Sequence, residues 1–170
     1  KKQLVVVGYN DIQGATLLTM DSTDNTAASD DASALAVDTI TKYSGTGSLA
    51  FDLTDSVGYG TITFSSLSLD MEALFERHGF IKMRSYMTDN DIDDVTIKLQ
   101  SSAGNYYTII ATLNDDGVDF VQDQWQTIAW HTDEKIAVGS PDLTAITTIT
   151  LEFGLGAGFD TKEDDTKKTL

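Results

Sequence analysis

Between Gly79 and Phe153 apolar and polar residues alternate in short runs separated by loops rich in Asp, Asn and Gly. Ile81, Met83 and Ser85 alternate with Lys82, Arg84 and Tyr86, and Val95, Ile97 and Leu99 alternate with Thr96, Lys98 and Gln100. Tyr107, Ile109 and Ala111 repeat the pattern, as do Ile128 and Trp130, and then Ile149, Leu151 and Phe153. A period of two places successive side chains on opposite faces of a strand. The runs therefore predict strands over 80–86, 95–100, 106–111, 125–130 and 146–153, each with one buried face, as in antiparallel sheets. Residues 1–20 read as one or two further strands, with the apolar run 4–7 the clearest. Leu35, Val37 and Ile40 begin another, Leu49, Phe51 and Leu53 mark a fourth, and Ile62 and Phe64 a fifth. Residues 21–33 are small and polar and read as a loop, because Asp, Asn and Ser bond to their own backbone.

One short helix is expected over 70–78. Asp70 can cap its start, Met71, Leu74 and Phe75 share a face, and Gly79 stands where a C-terminal glycine belongs. About nine strands at spacings of about 8–15 residues, with one helix, predict an all-β fold, an antiparallel β-sandwich. Residues 1–160 read as a single domain and 161–170 as a charged tail or linker. The segment 1–20 could also serve as an assembly strand or arm that adds to a neighbour's sheet.

Composition narrows the function. At 170 residues with 41% apolar and 22% charged positions, the chain can bury a sizeable core. The net charge of −16 opposes binding to nucleic acid and to anionic membrane surfaces. No apolar run approaches the roughly 20 residues of a membrane-spanning helix. The four apolar residues near the start are fewer than the about 7–15 of a signal-peptide core. With no cysteine, the chain has no disulfide, thiolate metal site or cysteine nucleophile.

Several motifs invite chemistry and mostly read as turns. Asp89-Asn90-Asp91-Ile92-Asp93-Asp94 opens like a helix–loop–helix calcium site, but Asp94 and Gln100 stand where that site needs Gly and Glu. Asp116-Gly117 reads as a turn with positive φ. Gly45-Thr46-Gly47 lacks the third glycine of a dinucleotide loop, and neither it nor Gly154-Leu155-Gly156-Ala157-Gly158 opens a helix, so both read as turns. His78 and His131, the two histidines, have no second-ligand spacing, and no Gly-x-Ser-x-Gly elbow occurs. No catalytic residue is expected. The one metal arrangement worth testing is a structural calcium ion held by Asp21, Asp24 and Asp160, should the chain ends lie on adjacent strands; no other cofactor is expected. Aromatic residues are the remaining route, because a sugar ring stacks on an exposed Trp or Tyr. Tyr106, Trp125 and Tyr86 are the candidates, whereas Trp130 shares parity with Ile128 and belongs to the core.

The ordered pieces Ser44-Gly45-Thr46-Gly47-Ser48-Leu49-Ala50-Phe51-Asp52, 95–107, Trp125-Gln126-Thr127-Ile128-Ala129-Trp130 and 139–146 together resemble galactose-binding-like jelly rolls, the fold of many carbohydrate-binding modules. Their order is most similar to a jelly-roll domain of tailed-bacteriophage structural proteins. The resemblance implies a non-enzymatic virion component, a capsid-decorating, neck or tail protein. Its partners would be other virion proteins or copies of itself, and it would be assembled in the host cytoplasm. The alternative is a carbohydrate-binding module that recognises glycans outside the cell, free-standing or part of a larger enzyme.

Overall fold

The computed structural model describes residues 2–9, 18, 22–40, 46–54, 57–88 and 91–156, and for 2–9 the backbone path alone. In chain order the strands are β1 (Lys2–Tyr9), β2 (Thr26–Asp30), β3 (Ala32–Asp38), β4 (Ser48–Leu53), β5 (Tyr59–Phe64), β6 (Phe80–Tyr86), β7 (Ile92–Ser102), β8 (Asn105–Ala111), β9 (Trp125–His131), β10 (Ile136–Val138) and β11 (Thr148–Leu155). One helix, α1 (Glu72–Glu76), and 3₁₀ turns at Thr132–Glu134 and Leu143–Ala145 complete the described elements. The strands form two antiparallel sheets. The first has the order β3-β4-β1-β6-β9 and the second β10-β8-β7-β11-β5-β2. The chain is an all-β sandwich.

The alternation in the sequence becomes the core. Ile81 and Met83 on β6, Ile128 and Trp130 on β9, Ile97 and Leu99 on β7, Ile109 on β8 and Leu151 on β11 are all fully buried in one cluster. Two contacts tie the sheets face to face. The rings of Phe51 on β4 and Phe153 on β11 lie 5.2 Å apart. The Trp130 indole N–H on β9 donates to the Val95 carbonyl of β7 at 2.8 Å. Trp130 is thus a core residue, as its parity requires, with its polar edge satisfied across the sandwich.

The helix closes one end. Met71 and Phe75 are buried, and Phe75 meets the Tyr107 ring at 5.6 Å. Asp70 accepts from the Glu72 amide at 3.0 Å, one residue ahead of the cap position, which Met71 occupies. The left-handed residue ending the helix is His78, at φ 53°, and not Gly79. Gly79 instead packs its backbone against Leu74, and its amide donates to the Leu74 carbonyl at 3.0 Å.

Three expectations change. Residues 21–33 are not all loop: β2 and the start of β3 lie there, with β2 pairing β5 from Thr26↔Phe64 to Asp30↔Gly60. Asp31 sits in the corner between them, only 1% exposed, and its carboxylate accepts from the Val57 and Gly58 amides at 2.8 Å each. The polar character read as a loop signal is therefore used to fasten the β4–β5 connection. The segment 4–7 is not left over for a neighbour: β1 lies inside the first sheet, paired with β4 on one side and β6 on the other. Finally, β10 is a three-residue edge strand that no periodicity announced. The expected tail over 161–170 lies outside the described residues.

Candidate functional site

The outer face of β6 and β9 brings four rings, Phe80, Tyr86, Trp125 and His131, and two cations, Lys82 and Arg84, into one track. Because Ile81, Met83 and Ser85 are buried, the intervening Phe80, Lys82, Arg84 and Tyr86 point outward. On β9, Gln126, Ile128 and Trp130 are buried, so Trp125, Thr127, Ala129 and His131 point outward. The register pairs them as Phe80↔His131, Lys82↔Ala129, Arg84↔Thr127 and Tyr86↔Trp125. Opposed residues of an antiparallel pair share a face, and their side chains touch.

Each end of the track is an aromatic corner. The Tyr86 and Trp125 rings lie 5.7 Å apart at 62°, and the Phe80 and His131 rings 4.5 Å apart at 83°. Edge-to-face geometry suits the ring quadrupoles. Six residue steps along β6 separate the corners, about 20 Å at strand rise. Lys82 and Arg84 occupy the middle. The Lys82 ammonium lies 5.6 Å from the Phe80 ring centroid and 2.7 Å from Asp115 Oδ2. Beyond Phe80 the track opens into a groove of about 320 Å³ lined by Phe80, Ile110, Leu113, Asp115, His131 and Glu134. Its far wall is the turn after β8. There Asn114 Oδ1 accepts from the Asp116 and Val118 amides, and Gly117 takes the left-handed φ of 74° foreseen for Asp-Gly.

Beside the groove both histidines address one carboxylate. His78 Nδ1 bonds Asp133 Oδ1, and His131 Nδ1 accepts from the Asp133 amide at 3.2 Å. The hydrogen bond from His78 holds Asp133 below the usual carboxylate range, aided by the nearby Lys135 ammonium. The pairing fastens the residues after α1 to the turn after β9. Thr132 reinforces it by donating through amide and hydroxyl to the Gly79 carbonyl at 3.0 and 3.1 Å.

Two of the three aromatic candidates, Tyr86 and Trp125, meet. Tyr106 does not join them. It stands on the outer face of the second sheet, opposite Gln100 and Val138, with the Lys98 ammonium 3.9 Å from its ring centroid. The calcium trio is not brought together by what is described. Asp24 is an exposed residue of the turn before β2, while Asp21 and Asp160 lie outside the described residues. Among the described residues no three His, Asp or Glu side chains converge as metal ligands. Phe80, Lys82, Arg84 and His131 were not singled out from the sequence as site residues. The alternation of Lys82, Arg84 and Tyr86 was visible, but nothing in it tells that a strand 39 positions further on supplies the partners.

The chain matches no family model, no curated protein and no solved structure. Its function therefore rests on the chemistry of its own surface. Rings with one exposed face and cations with long apolar stems hold planar or ring-shaped ligands by stacking and charged hydrogen bonds.

Proposed function

We propose that this chain is a non-enzymatic structural protein of a bacteriophage virion, a capsid-decorating, neck or tail component built on a sandwich like those of carbohydrate-binding modules. The observation that carries the reading is the side of the sandwich formed by β8 and β10. Ile136 and Val138 pair with Thr108 and Tyr106, so they share the outer face with Ile110. Their exposures are 58%, 39% and 47%. Edge strands are normally blunted by charge, because an apolar edge recruits another chain. In a chain of net charge −16, whose solubility is otherwise secured, three exposed aliphatic residues at one edge suit docking onto a larger assembly. The partners are other virion proteins or copies of itself, met in the host cytoplasm during assembly.

Ile136→Asp tests this directly. In light scattering after size exclusion, the wild-type chain forms a closed oligomer or joins particles, and the variant is monomeric and stays off them. A wild-type chain that is monomeric at all concentrations and never sediments with particles refutes the reading.

A second reading is favoured by the Tyr86–Trp125 corner: glycan recognition, either by a decoration domain or by an extracellular carbohydrate-binding module. The two are compatible, since the corner lies on the first sheet and the apolar edge on the second.

A further inference from the structure

We infer that the groove beside Phe80 takes an extended peptide segment bearing Lys or Arg, which adds a short strand to the free edge of β9; the inference holds whether or not the chain belongs to a virion. The first argument is the direction of the β9 backbone. Thr132, next after β9, donates its amide to the Gly79 carbonyl at 3.0 Å, and this pair continues the register Phe80↔His131. Hydrogen-bonded and non-hydrogen-bonded pairs alternate along an antiparallel ladder. Ile128 and Trp130 therefore bond to β6, whereas Thr127, Ala129 and His131 turn their amides and carbonyls the other way. The Asp115 amide meets that edge at the Thr127 carbonyl, at 2.8 Å. From there the chain leads back into β8 of the second sheet, and the groove opens between Ala129 and His131 on one wall and Ile110 and Leu113 on the other. Among the described residues no hydrogen bond meets Ala129 from this side.

The second argument is the lining. Phe80, Ile110 and Leu113 are 37%, 47% and 42% exposed, so apolar surface borders the free backbone. The lining holds the carboxylates of Asp115 and Glu134 and no Lys or Arg. Asp115 is already paired with Lys82 at 2.7 Å, whereas Glu134 has no ion pair among the described residues. His131 adds no cation, because its Nδ1 accepts from the Asp133 amide, and the Asp133 carboxylate stands beside it at 3.6 Å. A strand added to a sheet edge gains affinity from main-chain bonds and selectivity from its alternate side chains. Here one set would lie along the apolar lining and a cationic residue would meet Glu134. The net charge of −16 draws such a segment in and repels an acidic one. At about 320 Å³ the groove is at the small end of the about 300–1,000 Å³ of ligand sites, which fits a few residues of strand and not a folded partner.

The test uses the full chain and fluorescence polarisation with labelled, end-capped heptapeptides: one alternating Lys with Val, one alternating Glu with Val, and the Lys peptide with every second amide N-methylated, made in both phases. The Lys peptide should bind at least about tenfold tighter than the Glu peptide, and one N-methylated phase should lose at least about tenfold while the other keeps its affinity. Two variants place the site, since the whole chain is acidic. Ala129→Pro removes an amide that β6 does not use, on an edge strand where Pro is tolerated, and should weaken the Lys peptide at least about tenfold. Glu134→Gln should weaken it about two- to fivefold. Melting curves show that both variants remain folded, and the peptide comparisons need no variant. Equal affinity of the Lys and Glu peptides overturns the cationic class of partner. Unchanged affinity in both N-methylated phases, or in Ala129→Pro, overturns strand addition at β9. Self-association of the wild-type chain that Ala129→Pro abolishes, with no peptide bound, overturns the choice of partner.

Discussion

The two tryptophans of the chain stand on opposite faces of one strand, and exchanging each for Phe separates core from surface. Trp130 is fully buried and reaches the opposing sheet through its hydrogen bond to the Val95 carbonyl. Trp130→Phe removes that bond, worth about 1 kcal/mol, and leaves the carbonyl buried with a further cost of about 1 kcal/mol or more. The smaller ring leaves a void, which at about 24 cal/mol per Å³ adds about 1 kcal/mol. The sum is about 3 kcal/mol, and for a chain of this length it lowers the melting midpoint by roughly 6–12 °C. Trp125 lies half-buried on the outer face, so Trp125→Phe is expected to cost under about 1 kcal/mol. Urea titrations followed by far-UV circular dichroism give both values. Each variant also leaves a single tryptophan as a fluorescent reporter. The Trp130 signal of Trp125→Phe should be blue-shifted and shielded from acrylamide, and the Trp125 signal of Trp130→Phe should be readily quenched. A Trp130→Phe protein within about 0.5 kcal/mol of wild type, or a readily quenched Trp130, would refute the reasoning that β9 turns this face to the second sheet.

Asp31→Ala removes two charge-assisted bonds to the Val57 and Gly58 amides and should cost about 2–3 kcal/mol in a urea titration. Both amides share Oδ2, so Asp31→Asn can keep both bonds through its amide oxygen and loses only their charge assistance, about half as much; an Ala variant as stable as wild type would deny the carboxylate its fastening role. Stability should also rise on acidification. Burial, and then the charge of Asp93, push the Asp94 carboxyl up; burial, and then Asp94 and Asp30, do the same for Glu152. Both groups bind protons more readily folded than unfolded, so stability increases as pH falls from neutral to the ordinary carboxylate range, about 4. Below that range Asp133 and Asp142, held low by hydrogen bonds from His78 and Thr144, act in the opposite sense and stability declines. Thermal melts across this range check the profile. Asp94→Asn should flatten its upper limb and raise the neutral-pH midpoint by about 1–2 °C, and a steeper limb in that variant would count against the assignment.

How far the sequence could be read depended on how many residues each pattern spanned. Strands β6 and β9 were legible nearly to the residue, because each offers several alternating pairs with a large apolar residue on one side. β2 was not. Its sequence Thr-Ala-Ala-Ser-Asp is a strand only because the edge of β5 offers hydrogen bonds, and its small residues carry the composition of a loop. β10, with three residues, is too short for any period. The site was half legible for a related reason. Parity told which side of β6 Tyr86 occupies and that Tyr106 and Tyr107 face opposite ways. It could not tell that β9 lies beside β6 while β8 belongs to the other sheet. Adjacency of strands distant in sequence is decided by how the sheets close, so the meeting of Tyr86 with Trp125, and the separation of Tyr106 from both, appear only in three dimensions.

The account turns on this sandwich being a docking unit whose apolar edge seats it on a larger particle. Cryo-electron microscopy of intact particles purified from cells that produce the chain measures that most directly. The account predicts density for the sandwich at symmetry-related positions, with Ile110, Ile136 and Val138 against the particle and the β6–β9 track facing outward. A chain absent from the particles, or bound with that edge turned to solvent, would contradict it.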